Sequence, residues 1–171
     1  YRPNLERIHR ASLSLLRKEV TPATITDLTE FFFRWQHRHP STRLVGTDGV
    51  AELLGQFQGF HLPSELWEPE LLRTRLQPYD PSALRSLTQR GEFFCIGAPV
   101  GGRTLWIGRG EGSLFLDLSS LNAEELSAAS RTALTFLQEN GASFLRDLRE
   151  HTNLSLNAIN RAIAELFWAG W

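Results

Sequence analysis

The chain has no methionine and a single cysteine among its 171 residues. One cysteine can build neither a disulfide framework nor a cysteine-based zinc site. Cys95 sits in an apolar run and reads as a buried, inert thiol in a reducing compartment. Lysine is almost missing as well: seventeen of the 18 basic residues are Arg. Arg forks bind phosphate bidentately, and a GC-rich genome gives the same bias. No apolar run nears the ~18 residues that would span a bilayer, and no signal peptide is read in the sequence, so no membrane partner is expected. The net charge of -1 leaves no global field to draw nucleic acid. No GxSxG nucleophile motif is present. His37 and His39 are two apart, so they do not share a helix face as paired metal ligands would. No metal site is expected. The chain lacks a starting Met and stops on Phe167-Trp168-Ala169-Gly170-Trp171, which reads as a piece of a longer protein.

What is there is unevenly spread. Residues 1–43 carry eight Arg or Lys against four acids, and residues 91–171 carry six against nine. A basic face in the first part and a plain solvated helix surface both fit. The stretch from Phe31 to Pro81 holds two of the five Trp, three of the five His and the one Gln-x-Gln, at Gln56 and Gln58.

The apolar spacing predicts a helix over 2–19. Thr24 and Asp27 form a capping box for a second helix, with Ile25, Leu28, Phe32 and Trp35 on its apolar face and His37 to Pro40 ending it. Trp35 is expected in the core. Gly46 to Gly49 reads as a turn before a short helix over Val50 to Phe57, and another helix is expected from Pro63 or Ser64. Asp80 caps a further one, with Pro81 at its first position. The period then changes to two. Glu92–Ile96 and Thr104–Ile107 read as paired strands joined around Gly101-Gly102, and Ser113–Leu118 as a further strand. Gly97 to Thr104 nearly matches a phosphate loop with Arg103 in place of Lys, but such a loop must open a helix. A hairpin wing is the reading here. Asn122 with Glu125, Ser143 and Ser155 start the last helices.

Helices followed by a β-hairpin are the order of a winged helix. The fold class is α+β, mainly α, with tandem winged-helix modules of which the second is truncated. Residues 1–21 form a linking helix from a preceding module. Residues 22–118 form the winged helix with its hairpin wing, and 119–171 a partial second one. In that second module Asn157, Asn160 and Arg161 lie on the outer side of the reading helix and are base- and phosphate-reading types. Gln56 and Gln58 bracket Phe57: their amides could hold a water or a base edge, or be plain exposed helix residues. Phe60, His61, Trp67 and Tyr79 could supply stacking faces.

Phe33-Arg34-Trp35-Gln36-His37, Thr42-Arg43-Leu44, Gln56-Phe57-Gln58-Gly59-Phe60 and Tyr79-Asp80-Pro81 resemble the C-terminal region of the large helicase-related proteins, long superfamily 2 DNA helicases of bacteria. That region is similar in turn to winged-helix DNA glycosylases, which carry a Gln pair ahead of a segment like Arg75-Leu76-Gln77-Pro78-Tyr79-Asp80-Pro81. By spacing to Tyr79, the first Gln of that pair falls between Gln56 and Gln58. The resemblance implies a DNA-binding accessory region of an ATP-dependent helicase in DNA repair, in a bacterial cytoplasm. ATP and Mg would belong to the motor of the parent protein, because this chain has neither a Walker A nor a DExH motif, and no cofactor is expected in this segment. Expected DNA contacts are Arg34, Arg38, Arg43, His61, Arg73, Arg75, Tyr79, Asn157, Asn160 and Arg161. Gln56 or Gln58 would position water in base excision. The expected partners are DNA, the helicase core of the same chain and a second copy. The alternative is a structural scaffold, with an apolar patch around Trp168 and Trp171 covered by a subunit or a neighbouring domain.

Overall fold

The computed structural model describes residues 2–19, 22–98, 102–117 and 121–171. The chain divides into two compact units, residues 1–43 and 44–171.

The first unit holds α1 (Arg2–Glu19) and α2 (Ile25–Trp35). Thr24 caps α2 as expected: its Oγ1 accepts from the Asp27 amide at 3.2 Å, and the Asp27 carboxylate accepts back from the Thr24 amide at 2.9 Å. The helix ends at Trp35, and His37 takes a positive φ of 54°. None of the residues of α2 is buried. Trp35, expected in the core, is 61% exposed and stacks on Phe31 instead, 6.1 Å between ring centroids.

The second unit begins with α3 (Gly46–Gln56), where the sequence suggested a turn over Gly46–Gly49. Gly49 is buried, and a Cβ there would lie 2.8 Å from the Leu44 Cβ. This glycine is present so that α3 can press against Leu44, which pairs with Leu76 in an isolated parallel bridge. The helix expected from Pro63 or Ser64 starts at Ser64 but is not an α-helix. β1 (Leu62–Pro63) leads into one 3₁₀ turn (Ser64–Leu66) and one wide turn (Trp67–Leu72). Pro69 has no N–H to give to the helical ladder, and the Arg73 amide reaches five residues back to the Glu68 carbonyl, 2.9 Å. The Gln77–Pro78 peptide bond is cis.

Asp80 caps α4 (Pro81–Gln89), with Pro81 at its first position. β2 (Phe93–Gly97) and β3 (Arg103–Gly108) then form the expected antiparallel hairpin, with Cys95 opposite Trp106. β1 adds to the far side of β3, giving the order β1-β3-β2. The near match to a phosphate loop therefore runs from strand to strand, with Gly97 paired to Thr104. Residues 99–101 lie outside the described residues. Gly112–Phe115 is a short helix, α5, not the strand expected there, and Leu118 is outside the described residues.

The last part packs α6 (Ala128–Asn140), α7 (Leu145–Thr152) and α8 (Leu156–Trp168). Ser127, not Asn122, caps α6; Asn122 caps a 3₁₀ turn just ahead of it. Phe144, not Ser143, stands at the start of α7, its amide donating to Asp147 at 3.2 Å. Ser155 caps α8 as expected, and Gly170 follows with a φ of 86°. One core gathers Val50, Leu53, Leu54, Trp67, Leu72 and Trp106. The other gathers Leu126, Ala133, Leu148, Ile159, Ala162 and Leu166. They meet where the Phe167 carbonyl comes so close to Gly97 that a Cβ there would lie 2.3 Å from it. The architecture is mainly helical with a small antiparallel sheet, consistent with a winged-helix domain.

Candidate nucleic-acid interface

The residues after α3 form a dense polar knot. Phe57 is half-buried against the first core, and the Arg75 guanidinium lies 5.0 Å over its ring. Arg75 Nη1 donates to the Glu70 carbonyl at 3.2 Å and to the Leu71 carbonyl at 3.1 Å. At 7% exposure this side chain is a strut for the wide turn, so the expected phosphate contact at Arg75 is corrected. The same holds for Trp67 as a stacking face. It is 3% exposed, edge-on to Trp106, and its indole N–H donates to the Thr104 carbonyl at 3.3 Å.

Gln56 and Gln58 part company. Gln56 ends α3 and is exposed. Gln58 turns back to the hairpin. Its side-chain oxygen accepts from the Gly108 amide at 2.9 Å, and its NH₂ donates to the Glu111 carboxylate. The amide of Gln58 thus ties the end of α3 to the end of β3. Nothing in the spacing of Gln58 and Glu111, 53 residues apart, announces this contact.

Arg73 and Tyr79 are brought together: the guanidinium lies 6.0 Å from the ring centroid. The Tyr79 hydroxyl donates to Glu68 at 2.8 Å. Partial burial, the hydrogen bond to Glu68 and the Glu68 charge all push the phenol up, beyond the usual tyrosine range. Tyr79 can therefore donate but does not ionise near neutrality. Phe60 and His61 are exposed on the loop beyond Gln58. Cys95 is half-buried on β2, and burial raises its thiol.

In the first unit, Arg34 is held by Glu30 at 2.8 Å and by Ser41 at 3.2 Å. Arg38 and Arg43 are exposed just beyond α2. His37 Nδ1 lies 2.9 Å from the Thr42 carbonyl, and His39 Nδ1 lies 2.7 Å from the Ser41 hydroxyl. Both rings therefore fold onto the turn that follows α2.

In α8 one face is spent on the core through Ile159, Ala162 and Leu166, and the other leaves Asn157, Asn160 and Arg161 exposed. Asn153, in the left-handed region at φ 53°, makes the turn between α7 and α8. Glu165, which sequence reading passed over, braces this helix trio. Its carboxylate accepts from the Ser127 amide at 2.8 Å and the Ser130 hydroxyl at 2.6 Å. These donors, Ser130 first, hold its pKa below the usual carboxylate value. A run of Ser127 and Ser130 at helical spacing ahead of an acid was the available signal, but it does not identify which acid.

The chain is similar over 177 residues to the "Lhr helicase/ probable uracil glycosylase" of Mycolicibacterium smegmatis, at 32% identity, covering 98% of this chain and 11% of that protein. It is similar over 193 residues to the "Lhr helicase/uracil glycosylase" of Escherichia coli K12, at 25% identity, covering 96% of this chain and 12% of that protein. The chain thus spans about a tenth of the length of these relatives. The family described as "Large helicase-related protein, winged-helix domain" matches residues 20–113, more than half of the chain. This chain belongs to the large helicase-related family and carries its winged-helix domain.

Proposed function

We propose that this chain is a DNA-binding accessory region of a large ATP-dependent helicase that acts in DNA repair. The observation that carries the reading is the division of labour on α8. Ile159, Ala162 and Leu166 are spent on the core, and Asn157, Asn160 and Arg161 are presented to solvent. A helix seated this way behind a short turn can enter a major groove, where Asn pairs with adenine edges and Arg with guanine or phosphate. Arg73 beside Tyr79, with Arg38 and Arg43 on the other unit, adds phosphate contacts. The test is binding to single-stranded and duplex DNA over a salt series. Affinity that falls linearly in log salt supports the reading; no binding at low salt removes it. ATP and Mg²⁺ would be bound by the motor of the parent protein.

Base excision by the parent region is the finer reading, since the names of both relatives join helicase with uracil glycosylase. Enzymes of that kind take the target base out of the stack. Gln56 and Gln58 are the candidates to order water, and the amide of Gln58 also holds Gly108 and Glu111. Release of free base from lesion-bearing DNA, lost when both are changed to Ala, supports this. Release that survives the change places the chemistry elsewhere.

A scaffold role has its own observation. Ile25, Phe31, Phe33 and Trp35 are 77%, 54%, 51% and 61% exposed on α2. Trp168 and Trp171 are 39% and 37% exposed at the end of the second unit. Apolar surface of this extent marks contact surfaces. Here the partners would be other parts of the parent protein or a second copy. Protection of α2 amides from exchange in the parent, compared with this chain alone, tests it.

A further inference from the structure

We propose that the cavity between the 3₁₀ turn ahead of α6 and the end of α8 is a seat for one arginine side chain, presented by a segment of the parent protein outside this chain. The proposal rests on the scaffold reading above and names what covers Trp168 and Trp171. The cavity holds about 420 Å³ and is lined by Leu121, Leu126, Asn122, Glu125, Trp168 and Trp171. The chain covers about a tenth of the length of its relatives, so proteins of this kind have ample sequence elsewhere to supply the guest.

Three features of the lining favour a cation. Trp168 and Trp171 stand three residues apart and are both exposed, and the face of an indole is the best aromatic partner for a positive charge. Glu125 and Glu165 bring two carboxylates to the same space. Trp168 and Ala169 of the lining form the carboxyl end of α8, the negative pole of that helix. The carboxylates are not equivalent. Glu165 already accepts from the Ser127 amide and the Ser130 hydroxyl. Arg131 acts on Glu165 as well, but its guanidinium donates to the Glu124 and Leu126 carbonyls. Among the described residues, the Glu125 carboxylate has Asn122 as its partner, through Nδ2 at 3.0 Å, and no ion pair. A carboxylate offers about four lone-pair positions, so most of the capacity of Glu125 is open to a guest.

These charges decide which guest fits. A nucleic-acid phosphate would meet two carboxylates and be repelled. A purely apolar segment would bury the Glu125 charge without a partner, which is costly. A guanidinium is flat and delocalised, so its face can lie on an indole while its edge donates to a carboxylate. A lysine ammonium is a more strongly hydrated point charge and gains less from the ring. The space exceeds one arginine side chain and admits the backbone that carries it. The frame around it is held by the main chain. The Ala169 amide donates to the Glu165 carbonyl at 2.8 Å, and the Trp171 amide to the Leu166 carbonyl at 3.0 Å. Gly170, at a φ of 86°, turns the chain so that Trp171 returns to the lining.

Two measurements test the seat. The first titrates the 171-residue chain with the peptide acetyl-Gly-Arg-Gly-amide and follows the indole N–H signals of Trp168 and Trp171 by NMR. Saturable shifts at millimolar peptide, absent with the neutral citrulline analogue of the same shape, support the proposal. Glu125 is exposed, so Glu125→Gln keeps the fold, and it should weaken the arginine peptide about threefold or more. No shift, equal shifts with citrulline, or unchanged affinity in Glu125→Gln overturns the seat. The second compares hydrogen exchange of residues 121–126 and 168–171 in the parent protein and in its Glu125→Gln variant. Faster exchange in the variant supports the seat. Equal exchange in the two overturns it, and protection of α2 in the same parent then leaves the scaffold reading standing. Protection that rises with protein concentration assigns this face to a second copy and overturns the seat. No protection at either α2 or residues 168–171 removes the scaffold reading and the seat together.

Discussion

The Arg75 guanidinium lies over the ring of Phe57, 5.0 Å from its centroid, and closes the wide turn by donating to the Glu70 and Leu71 carbonyls. A charge placed there is a structural element. Arg75→Ala removes the stack and leaves two carbonyls without their donor, which should cost about 2 kcal/mol. Arg75→Lys should recover little of it, since an ammonium cannot reproduce the planar fork. Denaturant unfolding of the three proteins checks this, and DNA affinity per folded molecule should stay unchanged.

Gln58 should behave as a clamp. Gln58→Ala leaves the Gly108 amide without its acceptor and is expected to cost about 1 kcal/mol. Gln58→Glu sets a carboxylate against Glu111. Like charges at one site raise one of the two pKa values, so this variant should be least stable at neutral pH. It should recover as the pH falls into the carboxylate range, a trend that thermal melts across pH will reveal.

Tyr79 should resist ionisation. The chain has two tyrosines, and the hydroxyl of Tyr79 is held by Glu68. Its phenol pKa is raised above the unfolded value, so the stability it contributes is present below the ordinary value of 10.0 and is lost as pH rises beyond it. An ultraviolet titration of the folded chain should show one tyrosine, Tyr79, ionising late. Glu68→Gln should bring the late one down.

Acid should loosen the helix starts first. Asp27, Asp80 and Glu165 are held below their ordinary values of 3.8, 3.8 and 4.5 by hydrogen bonds from Thr24, Ser82 and Ser130. A depressed carboxylate stabilises the fold above its unfolded pKa and loses that contribution as pH falls through the folded value. Amide exchange at Ser127 and Ser130 should therefore quicken below about pH 4.5. Glu165→Gln should quicken it at neutral pH as well.

Gly97 should tolerate no side chain. A Cβ there would lie 2.3 Å from the Phe167 carbonyl, so Gly97→Ala forces α8 away from β2. Overpacking of this kind costs roughly 1–3 kcal/mol. Calorimetry should show the melting of residues 121–171 separating from that of the hairpin.

On the DNA side, Arg161→Ala should weaken duplex binding and reduce the slope of log affinity against log salt by about 1 if Arg161 neutralises one phosphate. Asn160→Ala should change sequence preference and leave the slope alone. Fluorescence anisotropy across salt and across sequences separates the two.

Local chemistry was legible in the sequence by itself wherever neighbours along the chain decide the outcome. The Thr24–Asp27 box, the Asp80-Pro81 start, the Ser155 cap and the pairing of β2 with β3 all follow from residues within a short stretch of each other. So did the family resemblance, carried by short runs such as Gln56-Phe57-Gln58-Gly59-Phe60. What only the tertiary structure decided are the contacts between distant residues. Gly49 reads as a turn until Leu44 and Leu76 are seen against it. Arg75 reads as a phosphate ligand until Phe57 lies beneath it, and Gln58 as a water-holding amide until Glu111 arrives from 53 positions away. Charge and hydrogen-bonding capacity are properties of a side chain. Whether they are spent inside the fold or offered to DNA depends on which atoms the fold brings within about 3 Å, and that is not written locally in the chain.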